Sequence, residues 1–166
     1  SITSGSGKIY ISNEAELRQE GSGITFVNGG VLALGNEVTL ANTKLALQGG
    51  STTSIANNKI GTLSLKTLAI DNNTIANIVL DASLKTGETD KVEAQTTEGT
   101  GSLNVSGINL ISNSKTPVTL NIGENSLVDT VSATKAETAE ATYRIKTSLD
   151  NNGNLMAVAY GQRAKI

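Results

Sequence analysis

Leu40-Ala41-Asn42-Thr43-Lys44-Leu45, Ile55-Ala56-Asn57-Asn58-Lys59-Ile60 and Ile70-Asp71-Asn72-Asn73-Thr74-Ile75 repeat one pattern, with starts 15 residues apart. Each unit runs aliphatic, spacer, Asn, then Asn or Thr, a second spacer and another aliphatic. Leu63-Ser64-Leu65 follows the second unit and Ile78-Val79-Leu80 the third. A fixed period that returns aliphatic residues and asparagines to equivalent places predicts coils of β-strand laid on one another, each burying its apolar face against the next. The expected fold is therefore all-β, a parallel β-helix or β-solenoid.

Short alternating runs extend this reading in both directions. Lys8-Ile9-Tyr10-Ile11, Ile24-Thr25-Phe26, Val38-Thr39-Leu40, Leu45-Ala46-Leu47, Leu68-Ala69-Ile70, Leu103-Asn104-Val105, Ile108-Asn109-Leu110 and Val118 to Ile122 each predict a strand with one buried face. Between them stand Asn28-Gly29-Gly30, Gly35-Asn36, Gly49-Gly50 and the Asn pairs, residues that tolerate the left-handed backbone of tight corners. Residues 81–101 break the period and gather charges among threonines, which predicts an exposed loop on one coil. Ser132 to Thr142 mixes alanines with Lys and Glu, but its Ser and Thr content favours a loop over a helix. Tyr143 to Leu149 and Leu155 to Tyr160, joined by an Asn- and Gly-rich turn, predict a C-terminal hairpin that closes the coil stack. The expected organisation is coils over 1–142 and a capping hairpin with its tail over 143–166.

Composition agrees with a narrow interior. Ser, Thr, Asn and Gly supply 71 of the 166 residues, and Tyr10, Phe26, Tyr143 and Tyr160 are all the aromatics there are, so the core must be layered from Leu, Ile, Val and Ala. A net charge of −2 without a long basic run gives no footprint for nucleic acid. With no Cys and no His, disulfide frameworks, thiolate or imidazole zinc sites and His-dependent triads are excluded within these residues. No run approaches the ~20 apolar residues of a membrane-spanning helix, and the start at Ser1-Ile2, without a signal peptide or initiator Met, suggests a piece of a longer protein.

The run from Val38 to Ala94 resembles the passenger domains of bacterial autotransporters, the surface portions of type V secretion proteins. The likeness is carried by Leu45-Ala46-Leu47, Ser54-Ile55-Ala56-Asn57-Asn58, Ile60-Gly61-Thr62-Leu63-Ser64-Leu65, Asp81-Ala82-Ser83-Leu84 and Asp90-Lys91-Val92-Glu93-Ala94. Gly101 to Leu110 and the Tyr143 to Ala159 hairpin resemble the membrane-proximal, closing part of such a passenger. What the resemblance implies is a right-handed β-helix exported to the bacterial cell surface or beyond, with an outer-membrane barrel encoded after Ile166. A 15-residue unit is short for a right-handed turn, and a part of a longer turn, or a left-handed or narrower solenoid, fits it too. No barrel pattern, serine-protease motif or lipase motif lies within the 166 residues.

Candidate functional residues are few. Asn42, Asn57 and Asn72 would form a structural row, their amides hydrogen-bonding along strands spaced ~4.8 Å apart. Asp81 and Asp90, with Asp71, Glu88 and Glu93 behind them, are the best candidates for the acid and base of a glycan-cleaving site, although a loop also needs charge to stay solvated. The same carboxylates could ligate Ca²⁺, but no Asp-x-Asp-x-Asp-Gly loop or Gly-Gly-x-Gly-x-Asp repeat is present. Gly5-Ser6-Gly7-Lys8 lacks the spacing of a phosphate loop. Asn72-Asn73-Thr74 and Asn104-Val105-Ser106 match the glycosylation triplet. The expectation is a non-catalytic structural or adhesive solenoid without cofactors. Its partners would be a host or bacterial surface protein or a second copy, with glycan as a further option, and the alternatives are a glycan-active enzyme fragment and an independent solenoid adhesin or surface-layer module.

Overall fold

Strands pair in parallel across successive coils, and they do so in two sheets. The structure is a computed structural model that describes residues 16–19, 31–33 and 40–165. The strands expected at 8–11 and 24–26, the 28–30 and 35–36 corners and the 5–8 run lie outside the described residues. One sheet has the order β1 (Glu16–Gln19), β3 (Leu40–Leu47), β5 (Thr62–Ile70), β7 (Lys91–Glu98). The other begins with β2 (Val31–Ala33), β4 (Thr52–Ser54), β6 (Ile75–Ala82) and β8 (Ser102–Leu110). The chain thus alternates between sheets, making a β-solenoid of about three turns with no helix among the described residues.

One turn is longer than the repeat that announces it. Ser64 on β5 bonds to Glu93 on β7 across 29 residues, and Asn77 on β6 to Asn104 on β8 across 27. The 15-residue echo is therefore about half a turn. Ile70 ends β5 opposite Leu47 of β3, whereas Ile55 follows β4 and donates its amide to Val79 of β6, in the other sheet. The repeat marks successive faces of one coil rather than successive coils.

Aliphatic columns fill the interior. Leu45 faces Leu68 and Leu47 faces Ile70, while Leu63 faces Val92. In the second sheet Ala76 faces Leu103, Ile78 faces Val105, Leu80 faces Ile108 and Ala82 faces Leu110. All of these side chains are buried. Parallel pairing puts like beside like, so each residue type chosen for one coil suits the next.

Corners depend on a left-handed backbone. Asn58 and Asn73, the second members of the two Asn pairs, have φ of 64° and 59°, as their tolerance of that region predicts. Gly99 has φ of 78°, and a Cβ there would lie 1.9 Å from the Ile70 carbonyl oxygen, so the β7–β8 turn is seated directly on the coil before it.

Residues 81–101 are not the exposed loop that their charges suggest. Only a short hairpin, with the Gly87 amide on the Ser83 carbonyl, projects outward, and its flanks Asp81 to Leu84, Thr89 and Asp90 are buried. Lys91–Glu98 is β7, and residues 99–101 turn into β8. Charge was read there as solvation, but two of those carboxylates are structural.

The far end is closed by the expected hairpin. β9 (Val118–Leu120), β10 (Thr130–Val131) and β11 (Lys135–Glu137) form the last, incomplete coil, with β10 and β11 added in parallel to β8. β12 (Ala141–Leu149) and β13 (Leu155–Ala164) then turn antiparallel: β12 pairs β11 and β13, and β13 pairs β9. Tyr143, 1% exposed, is the largest fully buried side chain. Its hydroxyl accepts the Ser114 amide at 3.0 Å and donates to Asn113 Oδ1 at 3.0 Å, which satisfies the polar end of the ring under the cap.

Among the described residues one buried side-chain group is left unsatisfied. The Thr53 hydroxyl is buried without a hydrogen-bond partner, in the column where Ile78 and Val105 follow. Replacing Thr53 with Val removes that orphan at nearly constant shape, so Thr53→Val should raise stability by about 1 kcal/mol. Urea unfolding checks it; an unchanged or lower midpoint would show that the hydroxyl is satisfied.

Candidate functional site

The strongest polar arrangement is built at one corner of the stack, where β6 ends. The hairpin after Ala82 folds back, with an isolated antiparallel bridge between Ala82 and Thr89, so that Asp90 returns beside Asp81. The Asp90 amide donates to the Asp81 carbonyl at 2.9 Å, and the Asp81 amide donates to Asp90 Oδ2 at 2.7 Å. The preceding corner contributes two more main-chain donors: Gly61 N to Asp90 Oδ1 at 3.0 Å and Asn57 N to Asp81 Oδ2 at 2.7 Å. The following coil contributes Asn109, whose Nδ2 reaches Asp81 Oδ1 at 2.6 Å and Asn58 Oδ1 at 2.8 Å. Each of the four carboxyl oxygens therefore receives an N–H, and three coil corners are fastened through one pair of side chains.

Of the five candidate carboxylates in the sequence, the structure brings Asp81 and Asp90 together. It gives them an environment unlike a catalytic cleft, because both are 0% exposed. An acid and base that act on a glycan must face a space that admits the sugar. Burial raises the Asp90 carboxyl to about 7, assisted by the charge of Asp81 and a hydrogen bond from it, against the amides of Asp81 and Gly61, which pull it down. Asp90 therefore titrates near neutral pH, well above the ordinary carboxylate range.

The other carboxylates are dispersed. Glu88 lies exposed on the hairpin, Glu93 accepts from Ser64 Oγ at 2.6 Å on the outside of β7, and Asp71 is half-buried in the β5–β6 turn. Among the described residues no three Asp or Glu side chains gather to hold a metal ion. Lys91 is half-buried beside this region; burial lowers its pKa, against Glu124 and Glu88, and its ammonium donates to the Asn121 carbonyl.

The asparagine row at 42, 57 and 72 does not form. Asn42 lies within β3, Asn57 in the corner after β4, and Asn72 in the turn after β5. Asn57 Oδ1 accepts the Lys59 amide within its own corner, and Asn72 Oδ1 accepts the Thr100 amide of the β7–β8 turn one coil on. The error follows from reading half a turn as a whole one. A polar row does exist at other residues. Asn104 Nδ2 donates to Asn77 Oδ1 at 3.0 Å and Ser132 Oγ at 2.8 Å, and Thr130 Oγ1 donates to Asn104 Oδ1 at 2.8 Å. The signal for it was the 27-residue return of Asn before a β-branched pair or Val. Of the two glycosylation triplets, Asn72 is exposed and Asn104 is buried in this row.

Compared with family models, curated proteins and solved structures, the chain matches none.

The folded chain holds the Asp90 proton more tightly than the unfolded chain does. Its contribution to stability is full below the ordinary carboxylate value of 3.8 and is lost as pH rises through about 7. Thermal melts of the wild type should therefore show this component declining across that window, and Asp90→Asn, which cannot titrate, should flatten it. Identical pH profiles for the two proteins would show that Asp90 titrates normally.

Proposed function

We propose that this chain is a non-catalytic structural and adhesive β-solenoid segment of a secreted bacterial autotransporter passenger, displayed at the cell surface or released from it. The observation that carries the reading is the enclosure of Asp81 and Asp90. The residues best suited to glycan chemistry are spent on fastening coils, with every carboxyl oxygen bonded and none facing solvent. A rod of this kind works by extension: each coil adds one strand spacing of about 4.8 Å to its length and presents side faces to a partner. The autotransporter assignment itself rests on the resemblance of the coil and hairpin sequences.

Two measurements test the two halves of this proposal. On a panel of neutral and acidic polysaccharides, the intact chain should give no turnover; turnover lost in a doubly substituted Asp81→Asn, Asp90→Asn protein would replace the structural reading with an enzymatic one. Sequencing the gene past the Ile166 codon should show about a dozen alternating strands, each ~10 residues long, the pattern of an outer-membrane barrel. A cell-wall or repeat module there would instead make this an independent adhesin.

The closing hairpin also has a folding role in this reading. It covers the strand edges of the last coil, which would otherwise template pairing between chains. Deleting residues 143–160 should yield a chain that aggregates on refolding; a monomeric, folded product by size exclusion and circular dichroism would remove the capping role.

A further inference from the structure

The outer face of the cap carries a feature that the coil stack does not require. Along β12, Ala141, Tyr143 and Ile145 point into the core, so Thr142, Arg144 and Lys146 point out. Register places Lys135 of β11 directly across from Arg144, and Tyr160 of β13 on the other side of it. Like charges opposite one another on a sheet face are destabilising. Here no acid intervenes to relieve them: among the described residues Lys135, Arg144, Lys146 and Arg163 make no ion pair. The nearest acid on this face, Glu137, is occupied by Lys165 at 3.4 Å and by the Thr142 hydroxyl at 3.3 Å, and Glu140 accepts from Asn113.

The local backbone shapes this charge into a hollow. A bulge shifts the pairing from Thr142–Arg163 to Arg144–Tyr160, leaving Gly161 and Gln162 opposite Tyr143. Gln162 reaches the Tyr143 hydroxyl at 3.3 Å. Gly161, with φ of 66°, leaves bare backbone beneath the Arg144 stem, 3.8 Å from the place a Cβ would occupy. The resulting hollow of about 200 Å³ is lined by Lys135, Thr142, Arg144, Gly161 and Arg163, with Tyr143 at its floor.

We infer that this hollow binds the anionic groups of an acidic polysaccharide. Two guanidinium groups and an ammonium around one concavity offer charge-assisted, forked hydrogen bonds to a carboxylate or sulfate. The half-exposed ring of Tyr160 beside Arg144 adds an apolar face for a sugar ring. Lys146, two residues along β12 and so about 7 Å from Arg144, extends the cationic track to a second unit of the polymer. A lipid surface fits less well. The exposed apolar residue of the hairpin, Leu149, projects by strand alternation to the face opposite the cations, so insertion and charge contact would compete. A long nucleic acid would also meet the acidic remainder of a chain whose net charge is −2. This inference does not depend on the autotransporter reading.

The test uses the whole chain with labelled polygalacturonate oligomers and dextran sulfate, against neutral dextran, single-stranded DNA and phosphatidylglycerol vesicles. The two acidic glycans should bind with an affinity that falls as salt is raised, and neutral dextran should not. Lys135→Gln and Arg144→Gln should each weaken binding about tenfold, while leaving the melting temperature unchanged or higher because a like-charge opposition is relieved. Lys66→Gln, at an exposed position of β5 away from the cap, should bind as the wild type does. Absence of binding, or wild-type binding by both cap variants, overturns the inference. DNA or vesicles bound as tightly as the acidic glycans would overturn the assignment of the ligand class.

Discussion

In-register parallel stacking of small aliphatic side chains is the constraint on which this molecule rests. Leu45 lies on Leu68, Leu63 on Val92 and Leu80 on Ile108, and each buried leucine or isoleucine contributes on the order of 1.5–3 kcal/mol relative to exposure. Among the described residues the one buried ring is Tyr143, under the cap, so aliphatic side chains set the width of the coils before it. The two sheets must approach closely enough for aliphatic residues to meet, and the tight Asn and Gly corners permit that. Such packing is non-directional, however. Sliding a strand by two residues would keep its apolar face inward, so hydrophobic burial specifies the face of each strand more strongly than its register.

Register is supplied by polar groups that bond only in one alignment. Asn77, Asn104, Thr130 and Ser132 form a row along the second sheet, and the Asp81–Asp90 pair ties the corners of three coils. Each hydrogen bond has a net worth of only about 1 kcal/mol, but a misaligned coil would bury unsatisfied carboxyl and amide groups at about 1–3 kcal/mol each. The asymmetry makes these few contacts selective out of proportion to their number. Two carboxylates are tolerated side by side at a fully buried corner because each of their four oxygens receives an N–H and burial raises the Asp90 carboxyl toward its neutral form.

These roles were unequally visible in the sequence. The all-β coil was legible because alternation and corner residues act locally: Asn58 and Asn73 adopt the left-handed conformation that their type favours, and Asp150 to Asn154 close a hairpin turn. The length of a turn was not, because the 15-residue echo links a strand on one face to a corner on the other. That misreading hid the row at Asn77 and Asn104 and suggested one at Asn42, Asn57 and Asn72. Asp81 and Asp90 stand out in the sequence only among five candidate carboxylates, and the structure buries both. Three of the four donors that accommodate them are main-chain amides, which every residue except proline possesses and no sequence pattern displays.

The cap separates two demands that the coils must combine. Within the stack, both sheets are committed to neighbours above and below, and the polar groups at their corners are consumed in holding register. The terminal hairpin is paired along both edges, β12 to β11 and β13 to β9, but only one of its faces packs on the core. Its inward residues Tyr143, Ile145, Ala157 and Ala159 complete the core, and its outward residues at alternate positions carry no such obligation. Lys135 can therefore remain opposite Arg144, because the cost of that opposition falls on the one surface where packing does not dictate the residue. Strand alternation lets the end of the rod be both a stability device and a recognition surface, with each function open to change without disturbing the other.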